Sequence, residues 1–179
     1  MNALENIGKE DLRDLLAKGW LTHDGMWFYS TYQAAGIEQA NTLNKAAIRS
    51  IAPIEINRVK KILGAGRDSI DSFETLRDFM FKAFELILPA SVYEKFRFGE
   101  SPNNTLHWEW EKGQCFAYKG MCQMGIIDQY RCGVMYRIEC WLKALDINYR
   151  IDPRIDRCIM HSTGTCSGEI RVFFEKLNH

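Results

Sequence analysis

The segment TLHWEWE, residues 105–111, decides the fold class, because its apolar and polar residues alternate with the two-residue period of a strand. The apolar positions, centred on Trp108, are predicted on a buried face, and His107 lies on the polar face. The preceding VYEKFRF, residues 92–98, predicts a weaker partner strand, and GESPNN between them predicts the turn. We therefore expect a β-hairpin in the middle of the chain.

The part of the chain before this hairpin, residues 1–88, repeats its apolar residues at steps of three and four, which indicates helices. The helix ends are predicted from capping residues, glycines and prolines, because proline interrupts the hydrogen-bonding pattern of a helix. Thr22 and Ser72 are the predicted N-caps, and the predicted interruptions and ends are Gly36, Pro53, Gly64 and Pro89.

The part after the hairpin predicts two more helices and a second pair of strands. The helices are expected in CFAYKGMCQMG and at 127–145, followed by an extended segment near 148–160, the loop HSTGTCSG and the strand EIRVFFEK. The chain is thus predicted to be one α+β domain over 1–179, with a helical part (1–88) and an α+β part (89–179). In the α+β part, a hairpin, two helices and a second hairpin would form a roughly four-stranded antiparallel sheet covered by helices.

The composition excludes several classes of function. Among the 179 residues, Lys and Arg number 23 and Asp and Glu also 23, so no excess of basic charge predicts nucleic-acid binding. No apolar stretch of about 18 residues is available to span a membrane, and the opening MNALENIGKEDLRDLL lacks the apolar run of a signal peptide. We therefore expect a cytoplasmic protein with no nucleic-acid or membrane partner. The sequence is also compatible with a homodimer.

All six cysteines lie in the α+β part, between Cys115 and Cys166. In a cytoplasmic chain of this size, thiols are expected to be buried, metal-bound or catalytic rather than paired in disulfides. The spacing Cys158-x-x-His161 places a sulfur and a nitrogen ligand within one turn, as in structural zinc sites, with Cys166 close behind. A further ligand must come from elsewhere, and Cys132 and Cys115 are the candidates. An iron–sulfur cluster is the alternative to zinc, and the sequence is equally compatible with no cofactor.

The helical phase of 127–145 predicts which face of that helix carries Cys132. If 127–145 is one helix, Cys132 and Tyr136 lie about 160° away from its apolar stripe, on the opposite face. Cys132 would then face solvent, a pocket or a partner, and Tyr136 beside it is a candidate for ligand binding. Cys115 and Cys122 are seven positions apart and would share one face of the preceding helix.

The same thiols suggest a nucleophile as an alternative to a metal ligand, because a nearby imidazole can activate a thiolate. Cys132 or Cys158 would attack, and His161 or His23 would act as the base. The sequence contains no local signature of a known cysteine hydrolase, so this alternative depends on whether the fold brings these side chains together.

Further ligand-binding candidates lie outside the cysteine-containing segments. His23 follows the predicted Thr22 cap, where the helix dipole disfavours an imidazolium and capping chemistry is the simpler role. Alternatively, a neutral His23 faces a pocket lined by Trp27 and Tyr29. Arg154 could bind a ligand carboxylate through two hydrogen bonds, although a salt bridge within the protein is the simpler use.

Two stretches of the sequence resemble an uncharacterised family of small prokaryotic proteins. They are WLTHDGMWFYSTYQAAGIEQANTLNKAAI at 20–48, and IDPRI at 151–155 followed by Cys158 and Ile159. The family is similar in layout to the 2-aminothiazoline-4-carboxylate hydrolase-like proteins. More loosely, it resembles the 4-vinyl reductase type of small-molecule-binding domain.

This resemblance implies which thiols belong together. It implies that Cys115, Cys132 and Cys158 are site residues. His161 lies at the position where the family has a further cysteine. Cys166 has no clear counterpart and is expected to be a bystander. The implied metal ligands are therefore Cys115, Cys132, Cys158 and His161.

Three hypotheses for function follow from these observations. The first is a domain that binds a small ligand or a metal centre through the Cys/His set. The second is a thiol-dependent hydrolase of a small heterocycle or amide, as the likeness to the hydrolase-like proteins implies. The third is a regulatory or interaction module in which the cysteines only pack and the aromatic helix 22–35 binds a partner.

Overall fold

The computed structural model describes residues 3–66 and 69–174 and combines helices with one antiparallel sheet. The described α-helices are α1 (Lys9–Leu63), α2 (Phe73–Ile87), α3 (Ala90–Tyr93), α4 (Phe116–Gln123), α5 (Gly133–Ala144) and α6 (Ile159–Thr163). The strands are β1 (Phe96–Ser101), β2 (Thr105–Trp110), β3 (Asn148–Asp152) and β4 (Cys166–Phe173), and short 3-10 segments lie at Ala3–Asn6 and Ile127–Gln129. The predicted α+β class is confirmed.

The long helix α1 is a pair of antiparallel helical halves joined at Gly36. Gly36 has φ 80° and ψ 170°, a backbone conformation that essentially only glycine adopts, so the predicted interruption at Gly36 is confirmed. Trp20 in the first half and Glu55 in the second half both contact Arg137 of α5. Because positions on either side of Gly36 reach the same residue, the two halves run back along each other and both cover α5.

Two other predicted interruptions of the first helices are wrong. Thr22 lies inside the first half of α1 and is not an N-cap, and Pro53 lies inside the second half. Ala52 and Ile56 flank Pro53 and are buried. The tertiary packing of this buried stripe therefore keeps the helix continuous, although Pro53 removes one backbone hydrogen bond.

The later helix boundaries agree with the capping residues in the sequence. Gly64 ends α1 in the left-handed conformation, with φ 66°. Ser72 caps α2 through a capping box with Thr75, whose backbone N–H donates to the Ser72 hydroxyl at 3.3 Å. The helix then ends just before Pro89, as predicted.

The sheet has the strand order β1-β2-β4-β3, and all neighbouring strands are antiparallel. This confirms the predicted four-stranded sheet and the hairpin at 96–110. On β2, Trp108 and Trp110 are buried, as the alternating pattern predicts. In the β2–β4 register, Trp108 lies opposite Gly168 and Trp110 opposite Cys166.

The segment predicted as one helix at 127–145 is divided, and this changes the position of Cys132. A 3-10 turn ends at Gln129, and α5 begins only at Gly133, with Cys132 as its extended N-cap residue. Fully buried Asn41 of α1 holds the break, because its amide donates to the Gln129 carbonyl at 2.9 Å and accepts from the Arg131 N–H at 3.0 Å. The prediction that Cys132 lies on the outer face of a continuous helix is therefore wrong.

The segment predicted as the loop HSTGTCSG also differs. It contains the end of α6, and β4 already begins at Cys166. The last two residues of the predicted strand EIRVFFEK, at 175 and 176, lie outside the described residues.

The division into one domain over 1–179 stays a prediction. Within the described part of the chain, no helix is long and apolar enough to cross a membrane.

Candidate functional site

A cavity of about 10 Å³ lies where α4, α5, α6 and β4 meet, and four cysteine side chains line it. We call it the thiol cavity, and its cysteines are Cys115, Cys132, Cys158 and Cys166. Its volume is close to the smallest space that holds one water molecule. The space between the four thiols therefore fits a single atom or ion, whereas a cluster of several iron and sulfide atoms needs more room.

Three of these cysteines occupy equivalent positions in the local structure. Cys115 directly precedes α4, Cys132 precedes α5 and Cys158 precedes α6, so each is the N-cap residue of its helix. Cys166 is the first residue of β4. The N-terminal end of a helix presents free backbone N–H groups, which favour negative charge in their vicinity. The fold thus brings thiols from four separate elements to one point.

The chain segments before Cys132 and Cys158 are held side by side. Arg131 and Arg157 form an antiparallel β-bridge, and the backbone N–H of Cys132 donates to the Asp156 carbonyl at 3.0 Å. Asn41 fixes the same segment from the side of α1. The two helix starts that carry these thiols are consequently fixed relative to each other by the backbone, and side-chain rotation remains their main freedom.

Burial keeps the thiols of the cavity protonated. It raises the pKa of Cys115 to about 12, that of Cys132 to about 11 and that of Cys166 to about 12. It also raises the pKa of Cys158. Backbone N–H groups at the starts of α4, α5 and α6 oppose the rise for the three N-cap cysteines. At neutral pH these groups are therefore thiols, and a positive ion would be needed to convert them to thiolates.

Two buried indole N–H groups lie next to this set. The Nε1 atoms of Trp108 and Trp110 are buried and have no hydrogen-bond partner among the described residues. Trp108 lies beside the Cys166 sulfur and lowers the pKa of that thiol, and Trp110 lines the thiol cavity. An indole N–H without an acceptor costs free energy, and a thiolate is a much better acceptor than a thiol.

The structure brings together only part of the predicted ligand set. Cys115, Cys132 and Cys158 line the thiol cavity, but His161 is exposed on α6, with Nε2 2.7 Å from Asp128 Oδ1. Cys166 also lines the cavity, and its expected place as a bystander stays a prediction. Among the described residues, no three His, Cys, Asp or Glu side chains are positioned to hold a metal ion as they stand.

The pair Cys115 and Cys122 does not share an environment. Cys115 is buried and lines the thiol cavity, whereas Cys122 is exposed near the end of α4. The common helix face predicted for the two residues is therefore wrong, because Cys115 lies before the first turn of α4 and not within it. The exposed Cys122 is useful as an internal reference for the cavity thiols.

The candidates on α1 lie apart from the thiols. His23 is exposed in the middle of a helical half, Trp27 is 61% exposed, and the Tyr29 ring packs against Tyr32 at 6.2 Å. Thr22 and Asp24 on either side of His23 line a different and larger cavity. The proposed catalytic role of His23 and the ligand-binding roles of Trp27 and Tyr29 stay predictions.

The remaining ligand-binding candidates also lie outside the thiol cavity. Tyr136 is half-buried on α5, with the Lys45 ammonium 5.2 Å from its ring centre. Arg154 is exposed in the segment after β3. Their roles, too, stay predictions.

A cavity of about 380 Å³, the apolar cavity, lies between α1, α2, α4, α5 and the first two strands. Its walls are mainly aromatic and aliphatic, and the aromatic residues include Trp20, Phe28, Phe84, Phe96, Phe116 and Trp141. Sequence reasoning missed this site because each of these residues looks like an ordinary core position in its own helix or strand. The only signal was the high aromatic content, 12% of the chain, which has no spatial information.

The arginine in the wall of the apolar cavity is paired within the protein. The Arg137 guanidinium lies 4.4 Å from the Trp20 ring centre and donates to Glu55 at 2.7 Å, and the Trp141 indole N–H donates to the same carboxylate at 2.9 Å. Asp24 and Asn44 are half-buried and also line the cavity. The cavity therefore has few polar groups, and its arginine is already neutralised.

The thiol cavity and the apolar cavity share a wall. Trp110, Ala117, Tyr130 and Val134 line both of them. The Tyr130 hydroxyl accepts a hydrogen bond from the Gly133 backbone N–H at 2.9 Å. The side chains of Trp110 and Tyr130 thus separate a cluster of thiols from an apolar space of ligand size.

Comparison with known proteins identifies a family without an assigned function. The model of a family of unknown function, DUF6125, matches residues 5–100, which is more than half of the chain. The match includes α1, α2 and most of β1 and ends before the first cysteine. No curated protein and no solved structure matches the chain, and the likeness in layout to the hydrolase-like proteins stays a prediction.

Proposed function

The chain belongs to DUF6125, a family of unknown function, and from its own geometry we propose that it is a metal-binding domain. One ion is held by Cys115, Cys132, Cys158 and Cys166. The observation that carries this proposal is that thiols from four separate elements line one cavity of about 10 Å³. Cys166 takes the fourth position in place of the predicted His161.

Zinc is the metal that this donor set suits best. Four thiolates in a tetrahedral arrangement are a common zinc site, with Zn–S distances of about 2.3 Å. A single iron ion is the alternative, because soft thiolates suit both metals. The small volume favours one ion over an iron–sulfur cluster. Closing on an ion would require the four thiol side chains to rotate, and the backbones of the segments before Cys132 and Cys158 are already tied together.

The chemical surroundings support a thiolate site. The helix-start N–H groups lower the cost of negative charge on Cys115, Cys132 and Cys158. The indole N–H of Trp108 gains an acceptor when the Cys166 thiol loses its proton. With four protein ligands, no coordination position remains for a substrate, so the expected role of the ion is to hold α4, α5, α6 and β4 together.

Metal analysis of the full chain, purified under anaerobic conditions, tests the proposal. We expect close to one equivalent of zinc or iron by mass spectrometry. After exchange with cobalt, the absorption spectrum should have the strong thiolate-to-metal bands of a tetrathiolate site. Protein without stoichiometric metal that also fails to bind added zinc or cobalt would contradict the proposal.

Substitutions distinguish Cys166 from His161 as the fourth ligand. Cys166→Ser should weaken zinc binding by at least about 100-fold in competition with a chromogenic chelator, because it removes a direct ligand. His161→Ala should leave the affinity within about twofold. Cys122→Ser is the matched control, since it removes an exposed thiol that does not line the cavity. A large loss with His161→Ala and none with Cys166→Ser would restore the ligand set predicted from the sequence.

The structure provides less support for the hydrolase hypothesis than for the metal site. A nucleophilic thiol needs a lowered pKa or a base in contact, whereas burial raises the pKa of Cys132 and Cys158. His161 contacts Asp128 and His23 is exposed on α1, and neither lines the thiol cavity. This alternative predicts that Cys132 or Cys158 reacts with iodoacetamide faster than the exposed Cys122 near neutral pH.

A further inference from the structure

We propose that the apolar cavity binds a neutral, ring-containing apolar small molecule. The ligand would contact the aromatic walls with its ring. This binding does not depend on the proposed metal ion, because the apolar cavity contains none of the four clustered cysteines.

The volume and the lining indicate a ligand of small-molecule size. Protein interiors contain few voids larger than a water molecule, whereas small-molecule sites typically measure about 300–1,000 Å³ and are mainly apolar. The cavity of about 380 Å³ falls in that range. Gly25 and Gly120 also line it, and a Cβ added at either glycine would meet no atom within 4 Å. These positions leave space where most residues would fill it.

The charges in the wall favour a neutral ligand. Arg137 is the cationic residue of the lining, and Glu55 already pairs with it at 2.7 Å, so an anionic ligand would find no free counter-charge. Half-buried Asp24 would also repel an anion. A cation could approach Asp24 only at the cost of its own hydration, and cationic binding is therefore included as an outcome of the test.

Four naphthalene derivatives of similar size test the proposal by calorimetry on the full chain. They are acetonaphthone, isopropylnaphthalene, naphthoate and naphthylmethylammonium. We expect the ketone and the hydrocarbon to bind, and the anion and the cation to bind at least about tenfold more weakly. Absence of binding by the ketone, or tightest binding by either charged probe, would overturn the proposal.

A pair of glycine variants tests the location of the site. Gly120→Leu places a side chain in the cavity, and Gly19→Leu places one on an exposed face of α1, where a Cβ also meets no atom within 4 Å. Gly120→Leu should abolish binding of the ketone, while Gly19→Leu should not. Both variants should melt at or above the wild-type temperature, because leucine favours a helix over glycine. If Gly120→Leu unfolds, Gly25→Leu replaces it, and a folded variant that still binds the ketone would overturn the location.

Discussion

The thiol cavity and the apolar cavity share a wall of four residues but differ in almost every other respect. The thiol cavity measures about 10 Å³ and has four cysteines from four elements, whereas the apolar cavity measures about 380 Å³ and has mainly aromatic walls. The first is built from helix starts and a strand end, where polar backbone groups are available. The second is built from helix sides, which offer only side chains.

This difference suggests a division of roles within one fold. Helix starts place N–H groups and thiols together, which suits an ion. Helix sides and the sheet face place apolar surface around an open space, which suits a small organic molecule. The comparison also predicts that substitutions near one cavity should leave the other cavity largely intact, except at the shared wall.

The largest expected effect is at Gly168, on the side of the thiol cavity. A Cβ on this residue would lie 2.3 Å from the Trp108 ring and 2.5 Å from the Asp152 carbonyl oxygen, so Gly168→Ala must displace Trp108, the neighbour of Cys166. We expect the free energy of unfolding to fall by about 3 kcal/mol, measured by urea denaturation. Gly99→Ala on β1 meets no atom within 4 Å and is the control. A loss of similar size with both variants would contradict this explanation.

The next effect concerns the apolar cavity. Glu55 and Arg137 are only 14% and 15% exposed, so Glu55→Ala leaves a largely buried guanidinium and the Trp141 indole N–H without their partner. We expect a loss of about 3 kcal/mol or slightly less in unfolding free energy, with little change in metal affinity. Glu38→Ala removes a second α1 carboxylate, whose pair with Arg131 is exposed, and should cost less than about 1 kcal/mol. If Glu55→Ala impaired metal binding as strongly as Cys166→Ser, the separation of the two cavities would be refuted.

Asn41 and Asn44 provide a direct comparison on one helix. Asn41→Ala leaves the Gln129 carbonyl and the Arg131 N–H without a partner beside Cys132, and should cost about 2 kcal/mol in unfolding free energy. It should also increase the rate at which Cys132 reacts with a thiol reagent, measured by mass spectrometry. Asn44→Ala shortens a side chain that lines the apolar cavity beside Gly133, but it breaks neither of the hydrogen bonds that hold Gln129 and Arg131, so it should change that rate much less. Equal reactivity of Cys132 in the two variants would show that Asn41 does not hold this segment.

The smallest effect, for a change of one pH unit, is the pH dependence of the metal-free chain. Burial raises the pKa of Cys132 from 9.0 to about 11, so the folded state retains a proton that the unfolded state loses within this interval. The free energy of unfolding should therefore be unaffected by this thiol below pH 9, and should fall as the pH rises from 9 to 11, by about 1.4 kcal/mol per pH unit.

The contribution of Cys132 is measured by comparison of variants in the same interval. Cys132→Ala should reduce the slope of unfolding free energy against pH, because it removes the proton that the folded state retains. Cys122→Ala keeps all four cavity thiols and should keep the wild-type slope. Identical slopes for wild type and Cys132→Ala would show that this thiol is not buried in solution.

Local patterns predicted the elements of the fold well where a single strong signal was present. The alternation around Trp108 predicted the hairpin, Ser72 predicted the start of α2, and Gly36 predicted the interruption of α1. The predictions failed at Thr22 and Pro53, because tertiary packing along α1 outweighs weak local preferences.

The candidate site was predicted only in part for a related reason. Cys115, Cys132 and Cys158 were identified as candidates, but helical phase treated Cys132 as part of one continuous helix. The hydrogen bonds of a residue 91 positions earlier, Asn41, hold a break in the helix before Cys132. Cys166 was set aside because the resemblance offers it no clear counterpart, and the register of β4 against β2, which sets it opposite Trp110, is not visible in the sequence. The apolar cavity was missed entirely, because its walls come from six separate elements.

The sequence by itself determined the α+β class, the restriction of thiols to the second half and the charge balance that argues against nucleic acid. These properties depend on composition and on periodicities of two to four residues, which are local. Only the tertiary structure decided that four thiols meet at one small cavity, that His161 is not among them and that a larger apolar space lies behind Trp110 and Tyr130. Those relations join residues far apart in the chain, and long-range packing and strand register alone establish them.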